Sequence, residues 1–141
     1  MLRDPVTMHR TFPWFQGEGF DLLIEDLQSL PADAVVLVEG FRLLPRLVAP
    51  HVSDPRHAAW LLPSPDFRQE AFGAREEAQA FWAPTSEPER ALGNLLARDE
   101  IFTESVAEDA TRRGLRTLIV PHRCSLDGTA DVLAEYFGLH R

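Results

Sequence analysis

Glu39 has the setting that most invites chemistry in this chain of 141 residues. It closes the apolar run Ala34-Val35-Val36-Leu37-Val38 and is followed directly by Gly40. An apolar strand ending in an acid is half of a nucleotide-phosphate site. The carboxylate there assists a magnesium ion or takes the proton of an acceptor hydroxyl. The other half is a loop of the form G-x-x-x-x-G-K-[ST], whose amides and lysine cradle the phosphates. The sequence holds no such loop and no lysine, and all 14 of its basic residues are arginine. A structural role for Glu39 competes with the chemical one, either capping the turn that follows or pairing with Arg42.

Other reactive residue types are thinly spread. His122 and Cys124 stand close together with Asp127 nearby, yet H-x-C supplies two ligands where a structural zinc site wants four. The five histidines, at positions 9, 51, 57, 122 and 140, form no H-x-x-x-H pair, so no metal site is expected. Gly17-Glu18-Gly19 lacks a third glycine and a preceding strand and reads as a helix start, not a dinucleotide fingerprint. Phe12, Trp14, Phe15 and Phe20 cluster early in the chain. Stacking on a base is one use for them; burial of an aromatic entry segment against a sheet is the favoured one.

Composition narrows the function classes. A net charge of −8 argues against a nucleic-acid or anionic-membrane partner. Hydrophobic content of 45% with 26% charged residues is that of a globular protein. The length suits a single domain over residues 1–141. One cysteine excludes an internal disulfide, and no apolar run approaches the roughly 20 residues of a membrane span, which makes a cytoplasmic protein the expectation.

The elements that would position these residues alternate. Continuous apolar runs at Ala34–Val38, His57–Leu62 and Arg116–Val120 predict buried strands of a parallel sheet. Phe20, Leu23, Ile24, Leu27 and Leu30 predict a helix stopped by Pro31. A long helix is expected to open at Ser86-Glu87-Pro88-Glu89 with Ser86 and Glu89 as a capping box, and to end at Gly114 beside Arg112 and Arg113. A last helix would turn Val132, Leu133 and Phe137 inward and stop at Gly138. Residues 63–86 form a looser insertion with a helix beginning at Pro63-Ser64-Pro65, and either a mobile lid or a surface helix with an ordinary loop fits it. The sum is a three-layer α/β domain.

This order of elements resembles the P-loop nucleoside- and nucleotide-kinase-like family, including its loosely defined bacterial ATPase-like members. The resemblance spans roughly residues 18–139. It is carried by Val35-Val36-Leu37-Val38-Glu39-Gly40-Phe41, Ala59-Trp60-Leu61-Leu62-Pro63-Ser64-Pro65-Asp66-Phe67-Arg68, Asn94-Leu95-Leu96-Ala97-Arg98-Asp99 and Gly114-Leu115-Arg116-Thr117-Leu118-Ile119-Val120. It implies a phosphotransferase acting from ATP and Mg2+ on a nucleoside, nucleotide or other small hydroxylated acceptor. Glu39 would be the catalytic base or magnesium helper, and Arg68, Arg75 and Arg98 would bind phosphates through their planar forks. Arg42 would contact the substrate. Arg98 and Asp99 are expected to point different ways, leaving Arg98 alone as a site residue. Ordinary surface pairing with Glu70, Glu76 and Glu77 is the competing role for Arg68 and Arg75.

In the family's sheet the three expected strands are the third, fourth and fifth, so the first strand, the P-loop and the second strand are wanting. ATP and Mg2+ are therefore expected only when that segment is supplied. The missing strand would leave two apolar edges bare, which natural proteins avoid. A reading frame that begins late, a different fold, or association into a homodimer are the expected ways out. For the chain by itself, the alternative function is a non-catalytic α/β oligomerisation or protein-binding module.

Overall fold

The structure, a computed structural model, describes residues 3–75, 79–121 and 125–139. Its sheet has two parallel strands, β1 (Ala59–Pro63) and β2 (Arg116–Val120), in a register running from Ala59 opposite Arg116 to Pro63 opposite Val120. The Ser64 amide donates to the Val120 carbonyl at 3.0 Å and extends the ladder by one bond. Parallel neighbours need a long crossover. Here it passes through α4 (Pro65–Ala74) and α5 (Pro88–Arg112), and α5 packs on both strands. Among the described residues three α-helices precede β1: α1 (Pro5–Thr11), α2 (Phe20–Gln28) and the short α3 (Pro45–Val48). The final helix is α6 (Leu126–Tyr136).

Local chemistry explains most helix ends. Asp4, Ser64 and Ser125 each accept an N-terminal amide proton of their helix, from Thr7, Phe67 and Gly128 respectively. Gly114, at φ +67°, follows the end of α5 where the left-handed turn requires a residue without Cβ. The start of α5 departs from the expected capping box. Its N-cap is Glu87, with no side-chain cap bond, and Pro88 takes the first helical position. Proline restricts the residue before it to extended backbone, so Glu87, at φ −138° and ψ 72°, lies outside the helix and Ser86 is one residue too early to cap.

The core is small. Leu44, Leu62 and Val106 are buried together, with Leu47, Trp60, Phe102 and Ala107 packed around them. Trp60 Nε1 donates to the Leu43 carbonyl at 2.6 Å and ties the loop before α3 to β1. The Tyr136 hydroxyl reaches the carbonyls of Pro55 at 2.9 Å and Ala58 at 3.3 Å, holding α6 at the entry to β1.

Three further expectations are corrected. Strand β1 begins at Ala59 and not His57, because Asp54 caps a 3₁₀ turn over Pro55–His57 through the Arg56 amide. On α6, Leu133 and Phe137 are half-buried, but Val132 stands half exposed. Ala34–Val38 is neither strand nor helix: Val35 is fully exposed, Leu37 is 87% exposed, and the amides of Val35 to Val38 have no backbone partner among the described residues. An apolar run becomes a strand only when a neighbouring backbone takes its hydrogen bonds. The sheet offers this run none. The coarse expectation of a mixed α/β protein with parallel strands flanked by helices holds; the sheet has two strands among the described residues, not three.

Candidate functional site

Glu39 stands just before a tight turn that Gly40 opens and Phe41 and Arg42 form. Gly40 sits at φ +144°, a region that side chains with Cβ rarely enter, and its carbonyl accepts the Leu43 amide at 3.2 Å. The turn borders an open, largely apolar cleft of about 260 Å³ between the start of α2 (Gly19, Phe20, Leu23) and residues 38–43. Arg42 lies over the Trp14 ring, 3.9 Å from its centroid, which fixes the guanidinium at the cleft rim by cation–π attraction. Glu39 is exposed and forms no ion pair with Arg42.

Arg68, from α4, and Arg98, on α5, lie elsewhere and are both held by groups on α5. Arg68 is buried, 8% exposed, and donates from Nη2 to Thr103 Oγ1 at 2.7 Å. That hydroxyl in turn donates to the Asp99 carbonyl at 2.8 Å. Contrary to the expectation of divergent side chains, Arg98 folds back on its neighbour, with Nε and Nη2 at 2.8 and 2.7 Å from Asp99 Oδ1. Its guanidinium also stands 5.3 Å from the Phe15 centroid and 5.5 Å from that of Phe12. Arg75 is the exposed C-cap of α4.

The candidate residues thus divide into Glu39 and Arg42 at the cleft, Arg68 and Arg98 bonded to groups of α5, and Arg75 apart from both. Neither Arg68 nor Arg98 lines the cleft. Sequence reasoning missed Thr103, although its i+4 spacing from Asp99 places both on one helix face. Phe102 is expected on the apolar face of this helix, and Phe15 is the ring that stacks on it. Of the aromatic entry segment, Phe15 is buried against Phe102 of α5, and Phe20 is buried beside His51. Phe12 is half-buried, Trp14 is 41% exposed, and Arg42 spans from Trp14 to the cleft.

His9 lies in the same cluster. Burial lowers its pKa from 6.5 and the Arg98 charge lowers it further, while Nε2 has no hydrogen-bond partner. At the surface, Arg56 hydrogen-bonds Asp54 and holds that carboxyl at about 2. Among the described residues no group of three or more His, Cys, Asp or Glu could hold a metal ion, and no helix is long and apolar enough to cross a membrane. His122 and Cys124, like Glu76 and Glu77, lie outside the described residues.

Compared with known proteins, the chain matches no family model, no curated protein and no solved structure.

Proposed function

We propose that this chain is a non-catalytic α/β association module whose binding element is the Ala34–Val38 segment, donated as a strand to another polypeptide. One observation carries the reading: five consecutive apolar residues stand outside the core, and the amides of Val35 to Val38 have no backbone partner among the described residues. Apolar surface presented together with free backbone donors and acceptors is what strand addition consumes. Exposure alternates along it, heavy at Val35 and Leu37 and lighter at Val36 and Val38, the period of two that an extended chain displays. Self-association into a homodimer is the simplest use of such a surface.

Sedimentation velocity across the micromolar range tests the reading, with Val35→Asp/Leu37→Asp as the variant. Assembly of the wild-type chain, lost in the variant with far-UV circular dichroism unchanged, is the expected result. A wild-type chain that stays monomeric, or a variant that assembles as well as wild type, overturns it.

The second reading is a kinase-like P-loop fold remnant, inactive alone, that would transfer phosphate from ATP to a small hydroxylated acceptor when completed. Two features favour it: the parallel β1–β2 pair, which the resemblance implies for the last two strands, and the turn after Glu39 beside a cleft. The residues present do not fit magnesium-ATP by themselves. Among the described residues Glu39 is the one carboxylate lining the cleft, and the guanidinium groups of Arg68 and Arg98 are engaged on α5. No catalytic step is therefore drawn through that group.

A further inference from the structure

The association reading leaves the acceptor unnamed, and the charges at the strand ends identify it. We infer that Ala34–Val38 of one copy adds along the outer edge of β2 in a second copy, and that the exchange is reciprocal, closing a two-fold pair. This inference rests on the association reading and names its partner.

Asp33 and Glu39 flank the apolar run, and both are exposed. Pairing two such runs with each other is opposed by these acids: antiparallel about Val36, Asp33 of one copy faces Glu39 of the other at both ends, and in parallel each acid faces itself. Like charges directly opposite destabilise a strand pair. The edge of β2 offers the complement. Arg116 heads that strand, is exposed, and makes no ion pair among the described residues. Glu39 comes opposite it when the added strand runs antiparallel, with both side chains then on one face of the sheet.

Length and side chains agree with this acceptor. The run Ala34–Val38 and the strand Arg116–Val120 are equally long. In that antiparallel register Leu37 lies beside Leu118 and Val36 beside Ile119, the latter two 46% and 63% exposed, so each covers the other. The outer edge of β1 is the poorer choice. It ends in Pro63, which has no amide proton, the Ala58 carbonyl before it is taken by Tyr136, and nearby Arg56 is committed to Asp54. A two-fold pair repeats the seam twice and leaves neither the donated run nor the β2 edge open.

A charge exchange tests this by sedimentation velocity. Arg116→Glu alone and Asp33→Arg/Glu39→Arg alone are each expected to weaken the pair about tenfold or more, since both seams become like-charged. An equimolar mixture of the two variants is expected to restore it, because both seams of the mixed pair are then oppositely charged. Circular dichroism of each variant excludes unfolding as the cause, all three positions being exposed. If Arg116→Glu alone pairs as well as wild type, or the mixture restores nothing, while Val35→Asp/Leu37→Asp still abolishes assembly, the β2 edge is the wrong acceptor and the association reading stands. If the wild-type chain is monomeric, or Val35→Asp/Leu37→Asp assembles normally, both fall.

Discussion

Phe15 stacks on Phe102 with ring centroids 4.0 Å apart and planes 14° from parallel. The two residues are distant in sequence, one on the 3₁₀ turn after α1 and the other midway along α5. Phe12 meets Phe15 edge-on at 4.7 Å, and α1 packs along α5, so this contact seats the whole entry segment.

Truncating either ring should therefore detach that segment. Phe15→Ala and Phe102→Ala are each expected to cost about 3 kcal/mol, as for large aromatic truncations in a core. A double-mutant cycle by urea unfolding should give a coupling of about 1 kcal/mol between them. Additive losses would mean that the rings share a neighbourhood without stabilising one another.

Gly17 is expected to resist substitution more than Gly114. Both adopt positive φ, +92° and +67°, but a Cβ on Gly17 would collide with Leu47 Cδ1, whereas one on Gly114 meets open space. Gly114→Ala should cost the left-handed backbone term alone, about 1 kcal/mol, and Gly17→Ala roughly 2 kcal/mol or more. Urea midpoints compared with wild type provide the measurement.

Stability should fall as the medium is acidified through the histidine range. Burial and Arg98 depress the His9 pKa below its ordinary 6.5, so between the depressed value and 6.5 the unfolded chain binds more protons than the folded one. The stabilisation is present above 6.5 and is lost as pH falls through the folded value. His9→Phe, which keeps a ring against Phe15 and Phe102, should flatten this part of the pH profile of the urea midpoint. An unchanged slope in the variant would assign it to other groups.

Magnesium-ATP is expected to bind the isolated chain weakly or not at all. The amide cradle and lysine that hold phosphates are missing from the sequence, and Arg68 and Arg98 are engaged on α5. Calorimetric titration reads this directly. Micromolar, magnesium-dependent binding, about −8 kcal/mol, would favour the kinase-like reading over the association module.

The sequence by itself determined the features whose causes are local. Ser64 and Ser125 cap because their hydroxyls reach amides three residues on, and Gly114 ends α5 because it alone tolerates the turn. Pro88 sets the start of α5, because the residue before a proline is held out of the helix. The runs at β1 and β2 were legible because continuous apolar stretches bounded by turn residues are short-range patterns. Tertiary structure decided what depends on partners distant in the chain. Whether an apolar run is a strand depends on a second backbone, and so Ala34–Val38, more uniformly apolar than β2, lies unpaired. Where an arginine points depends equally on what packs beside it. Thr103 draws Arg68 into the interior, and Phe12 and Phe15 hold Arg98 over Asp99, contacts that no spacing within α4 or the entry segment encodes.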